Sequence, residues 1–156
     1  MKYTDIQIFL LRIALGALLF SIGINKINSG WLTSNQELVT SLNDYAEKAT
    51  GFQQQYLQTV AMPYVSIWAK MIAIGETAIG ASLLIGLLAR FSSLMGIIMV
   101  FNLHAANGNL YTLKFFQTPW GAVVIACFLI LFLSRSGRWF GFDYYLMKSN
   151  SKNFFW

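Results

Sequence analysis

"MIAIGETAIGAS", residues 71–82, is apolar or small at almost every position, and in its middle stands a carboxylate, Glu76. The stretch lies within a longer apolar run, residues 65–89, which exceeds the ~20 residues a helix needs to cross hydrocarbon. An ionisable group inside such a run costs ~2.5–3.5 kcal/mol on insertion scales, so it needs a partner or water. This run sets the fold class and poses the chemical question together.

Outward from it, three more apolar runs cover residues 5–26, 91–107 and 119–134. The chain of 156 residues is 56% hydrophobic and 11% charged, far from the balance of a soluble domain. These features predict one all-α domain, an integral membrane four-helix bundle. The run at 91–107 is short and holds Asn102 and His104, but Arg90 and Lys114 bracket it. Without it a loop would have to re-enter the membrane, the rarer arrangement. The first run is preceded by Lys2 like a signal sequence, yet Arg12 interrupts the apolar stretch a signal needs and no small-x-small site follows before Lys26. It is expected to be a retained helix.

Four spans put Lys2, Arg90, Arg135, Arg138, Lys148 and Lys152 on one side, and Lys26, Lys48 and Lys114 on the other, with Lys70 counted among the latter. The basic excess predicts cytoplasmic termini in the inner (cytoplasmic) membrane. Topology and anionic lipid account for the net charge of +5, and no nucleic-acid partner is required. The single cysteine, Cys127, lies in the fourth run. It cannot form a disulfide within the chain, and it reads as a small buried hydrophobe.

Residues 27–64 form the one sizeable polar segment, expected outside the cytoplasm. Within "SNQELVTSLNDYAEKATG", Leu38, Leu42, Tyr45 and Ala49 recur at helical spacing. Ser34 with Glu37 fits a capping box, and Gly51 is a plausible stop. This predicts an amphipathic extramembrane helix, followed by a second short helix through "FQQQYLQTVA" before Pro63. The segment reads equally as a docking face for a partner and as a lid over the bundle mouth. The tail, residues 135–156, holds Trp139, Phe140, Phe142, Tyr144, Tyr145 and Trp156 among basic residues, which predicts an interfacial position on the cytoplasmic side.

Arg12 is the other ionisable group deep in an apolar run, and it is the expected partner of Glu76. Arg12 lies about 15 Å along its helix from Lys2, and Glu76 about 21 Å from Arg90, at ~1.5 Å per residue. If both flanks are cytoplasmic, an extended arginine spans the difference. His104 follows Arg90 by as many residues as Glu76 precedes it, so a hairpin puts the two at similar depth, with Asn102 half a turn nearer the cytoplasm. A cluster of Arg12, Glu76, His104 and Asn102 could grip a ligand or relay protons, or it could simply fix helix register. One histidine and one cysteine make neither a zinc nor a haem site, and no protein-bound metal is expected. There is no nucleophile with a base and no dinucleotide or phosphate-loop fingerprint. Redox chemistry would therefore run on a lipid-soluble quinone or on a partner subunit's cofactor. Small residues at Gly16, Gly23, Ala73, Thr77, Gly80 and Ala81 would let helices approach closely.

Arg12, Gly16, Phe20, Gly23 and Lys26 in "LLRIALGALLFSIGINKI", and Glu76, Gly80, Gly86 and Arg90 in "IGETAIGASLLIGLLARFSSLMG", resemble the first and second helix patterns of the DoxX/DoxD family. The resemblance runs over roughly residues 8–134, and the long first loop is closer to the DoxD type. It implies a small four-helix membrane subunit linked to quinone-dependent oxidation of sulfur compounds in thiosulfate:quinone oxidoreductase. It transfers no catalytic residue.

Three readings stay open at this point. The leading one is a membrane subunit of a quinone-linked oxidoreductase, with Glu76, Arg12 and His104 at a proton-relay or quinone site and Asn102 as a quinone contact. The second is a non-catalytic accessory subunit of a larger respiratory or photosynthetic electron-transfer complex, since two extramembrane segments could dock on partner subunits. The third is a small proton-coupled transporter, because a membrane carboxylate also suits that task. Membrane lipids are expected partners in all three.

Overall fold

A computed structural model describes residues 3–134, 136–138, 141–144 and 148, and all regular structure among them is helical. The helices are α1 (Tyr3–Asn28), α2 (Gln36–Ala46), α3 (Gly51–Tyr56), α4 (Val65–Ile85), α5 (Ala89–Ala106), α6 (Lys114–Gln117) and α7 (Val124–Ser134). Three of them, α1, α4 and α5, are long and apolar enough to cross a membrane. Of the fourth apolar run, the described residues form a shorter apolar helical stretch, Gly121–Ser134, about 21 Å at ~1.5 Å per residue. Its start is set locally. Pro119 opens a π-helical turn in which Gly121 leaves helical geometry, and a Cβ on Gly121 would fall on the carbonyl oxygen of Phe115.

α1 and α4 make the most extensive helix pair. They run antiparallel, and glycines set their register. A Cβ on Gly80 would collide with the backbone of Phe20, one on Gly23 with Thr77, and one on Gly16 would sit 3.0 Å from the Leu84 amide. On the other side of the molecule α5 packs on α7, where Gly96 leaves room for the ring of Phe128. Leu15, Leu19, Ile79, Leu83, Val100, Phe128 and Leu131 fill the space between these pairs. A separate cluster joins Leu38 and Leu42 of α2 and Leu57 and Ala61 to Ala69 of α4 and Ala106 of α5. The loop segments are thereby fastened over one end of the long helices.

The start of α2 corrects the expected capping box. Glu37 accepts the Trp31 indole N–H at 2.5 Å, while the Ser34 hydroxyl oxygen accepts from the Gln36 amide at 3.4 Å. The side chain of Glu37 reaches the indole donor and leaves the helix end, so the reciprocal cap does not form. Gly51, with φ +58°, opens α3 instead of closing α2.

At the opposite end, Gly86 (φ +72°) and Leu88 (φ +52°) turn α4 into α5. Leu88 is not a glycine, so this left-handed geometry is strained and needs support. Asp143 supplies it, accepting from the Leu88 amide at 2.6 Å and the Ala89 amide at 3.0 Å. In return, the Asp143 amide donates to the Gly86 carbonyl at 2.9 Å and the Phe142 amide to the Ile85 carbonyl at 3.3 Å. Residues 141–144 are thus pinned to the α4–α5 turn, although the rings of Phe142 and Tyr144 stay exposed. Trp139, Phe140, Tyr145 and Trp156, on which the interfacial reading of the tail also rests, lie outside the described residues.

Candidate functional site

The expected Arg12–Glu76 pair does not form. Lys26 Nζ donates to Glu76 Oε1 at 2.6 Å. Arg12, fully buried, donates from Nη1 to the Ser136 carbonyl at 2.8 Å, lies 5.3 Å from the Phe9 ring centroid and faces the charge of Asp143. Helix register explains the exchange. Arg12 is level with Gly86, where an added Cβ would meet its guanidinium, so α1 begins well beyond the α4–α5 turn. Glu76 lies about 15 Å along α4 from that level, out of reach of one arginine. Lys26, near the other end of α1, is the cation at its depth.

Glu76 is buried, with a side chain only 8% exposed, and Lys26 is 23% exposed. The ammonium group also lies 5.0 Å from the ring centroid of Trp31, a cation–π contact that helps hold it. The second carboxylate oxygen, Oε2, is buried and has no hydrogen-bond partner among the described residues. Such an orphaned acceptor is costly unless a ligand or water satisfies it.

Glu76 borders a cavity of about 240 Å³. Its lining draws on both hydrophobic clusters. Leu19, Val100 and Val124 belong to one, and Leu38, Leu42, Ala61 and Ala106 to the other. Trp31, Tyr45, Tyr56 and Trp68 add an aromatic rim, and α2 and α3 lie over the whole. Besides Glu76, the polar groups are few. Asn102 is hydrogen bonded to the Tyr56 hydroxyl, and Ser41 and Tyr45 carry further hydroxyls. Burial raises the Tyr56 pKa above the ordinary value, against the Asn102 hydrogen bond and with a smaller contribution from Tyr111. Tyr56 therefore keeps its proton at neutral pH.

An apolar, aromatic-lined cavity with a few placed polar groups is the usual form of a small-molecule site. The model of the family described as "TQO small subunit DoxD" matches residues 7–155. The chain belongs to the DoxD family. No curated protein and no solved structure matches it. The family description is that of a membrane subunit of thiosulfate:quinone oxidoreductase.

In this DoxD chain the four residues singled out from sequence separate into three places. Glu76 and Asn102 both line the cavity. Arg12 lies at the α4–α5 turn, away from it. His104, only 2% exposed, packs edge-on against the Phe115 ring at 5.4 Å between centroids and does not line the cavity. Lys26 and Tyr56 were missed. Matching Gly16 and Gly23 against Leu84 and Thr77 as an antiparallel seam would have placed Lys26 within a turn of Glu76. Tyr56 gave no comparable signal, because its partner Asn102 lies far away in sequence. Among the described residues no three His, Cys, Asp or Glu side chains come together to hold a metal.

Proposed function

We propose that this DoxD chain serves as the membrane subunit of a quinone-linked oxidoreductase in the bacterial inner membrane, completed as a four-helix bundle by α7, and that the cavity beneath α2 and α3 receives the quinone ring. The family carries the coarse assignment. One observation carries the site: the buried Glu76 carboxylate, held by Lys26 through one oxygen, offers its orphaned second oxygen at an apolar, aromatic-lined cavity. A bound quinone supplies uptake of two electrons and two protons, with the electrons coming from a sulfur compound oxidised by a partner subunit. Glu76 and the Asn102–Tyr56 pair orient the ring, and Trp31 and Trp68 exclude water from it. Lys26 holds Glu76 in place through Oε1. Arg12 holds helix register and the chain end, and His104 is assigned no contact with the ring.

The test is binding by the purified protein in mild detergent. Trp31 and Trp68 line the cavity, so a short-tailed naphthoquinone should quench tryptophan fluorescence saturably. Ala61→Phe and Ala106→Phe, which fill the cavity, should weaken binding at least about tenfold while circular dichroism keeps its helical signal. Absence of saturable binding by the wild type, or equal binding by both folded variants, would refute the site.

A further inference from the structure

Lys26 Nζ donates to Glu76 Oε1 at 2.6 Å, and a carboxylate in such an ion pair only accepts hydrogen bonds. Among the described residues lining the cavity, its Oε2 is the buried group that still requires a donor. The indole donors on the rim are already committed. Trp31 Nε1–H goes to Glu37 and Trp68 Nε1–H to the Val60 carbonyl at 3.0 Å. The Ser41 hydroxyl donates to the Glu37 carbonyl at 3.0 Å. What remains, Tyr45 and the Asn102–Tyr56 pair, can both donate and accept, and so serves ligands of either kind. The choice between ligand forms therefore falls to Glu76.

We infer that Glu76 makes the cavity selective for the reduced, hydroxyl-bearing form of the ring over the oxidised form. This rests on the reading of the cavity as a quinone site. A hydroquinone O–H satisfies Oε2. A quinone carbonyl, with lone pairs only, would face the carboxylate oxygen across an unfilled gap. Sites built around a hydrogen bond reject analogues that cannot make it far more strongly than apolar pockets reject a change of shape. Tighter binding of the reduced form raises the potential of the bound couple, by about 30 mV for each factor of ten in affinity at two electrons. The subunit would then draw electrons to the bound ring and hold the product until it is exchanged.

The experiment compares three ligands of one skeleton under anaerobic conditions: a naphthoquinone, its hydroquinone, and the hydroquinone's dimethyl ether, which has the reduced shape but no O–H. Dissociation constants from tryptophan quenching should favour the hydroquinone at least about tenfold over both others in the wild type. Glu76→Gln, whose amide donates as well as accepts, should bring all three within about twofold. Equal affinity for the three ligands in the wild type, or tighter binding of the quinone, overturns the inference and leaves the cavity a quinone site. Tight binding of the dimethyl ether also overturns it, because shape would then decide. If no ligand binds, the site reading and the inference fall together. Should Glu76→Gln fail to fold, the wild-type comparison with the dimethyl ether still decides.

Discussion

Tyr56 sits half-buried at the cavity rim, and burial outweighs the Asn102 hydrogen bond in setting its proton affinity above the ordinary tyrosine value of 10.0. In the unfolded chain the phenol loses its proton near that ordinary value, whereas in the folded chain it keeps the proton to higher pH. The folded state then binds more protons than the unfolded one, so stability falls as pH rises through this window. The contribution is intact below about pH 10 and is lost above it. Tyr56→Phe removes the titrating hydroxyl. Chemical denaturation of the detergent-solubilised protein between about pH 9 and 12 should show a shallower alkaline loss for Tyr56→Phe than for the wild type, with the two curves parallel below about pH 9. Identical slopes would mean that the hydroxyl is solvated like any surface tyrosine. The residue scale is also where sequence reading succeeded and failed most plainly. Glu76 and Asn102 stand out because each is polar inside an apolar run. Lys26 does not, because a lysine at the end of a span is the ordinary flank, and only the register of α1 on α4 turns it inward.

The α1–α4 seam fixes that register, and its glycines differ in what they do. Gly23 and Gly80 meet neighbouring backbone, which cannot yield as a flexible side chain would, while a Cβ on Gly75 would find only the Met99 sulfur at 3.9 Å. Overpacking a tight contact costs ~1–3 kcal/mol, whereas replacing a helical glycine where space exists gains ~0.5–1 kcal/mol. Gly23→Ala and Gly80→Ala should therefore lower the unfolding midpoint, and Gly75→Ala should hold or raise it. A thermal melt in one detergent compares all three. Uniform effects would show that the seam is not close-packed at these glycines. Gly23→Ala carries a second consequence, since pushing α1 away from Thr77 displaces Lys26 from Glu76 and should weaken ligand binding beyond the loss of stability. At this scale the sequence was informative where periodicity and length decide. The extents of α1, α4 and α5 follow from apolar run length. The break at Gly121 and the exchange of Glu37 from backbone to Trp31 depend on contacts between segments that no local pattern encodes.

At the scale of the whole molecule, the two ends differ in kind. One end carries the cavity, α2 and α3, with Lys26, Lys48 and Lys114. The other carries the α4–α5 turn with Arg12, Arg90 and the pinned segment at Asp143, where Arg90 Nε donates to the Phe132 carbonyl at 3.0 Å and its guanidinium lies 5.1 Å from the Phe132 ring. These contacts hold the start of α5 against the end of α7, so that end is closed by hydrogen bonds while the cavity end is closed by apolar loop packing. We propose, from the basic flanks counted along the sequence, that the closed end faces the cytoplasm, as the positive-inside rule expects. The cavity would then lie toward the outer leaflet, reached by quinone from that half of the bilayer and by sulfur compounds from outside. Labelling tests this orientation. In a Cys127→Ala background, Lys48→Cys and Lys148→Cys each introduce one thiol at an exposed position. A membrane-impermeant maleimide applied to intact spheroplasts should label Lys48→Cys and reach Lys148→Cys only after permeabilisation. The reverse pattern would turn the chain over, place the Glu76 cavity beside the cytoplasmic leaflet, and require the sulfur-oxidising partner to sit inside the cell.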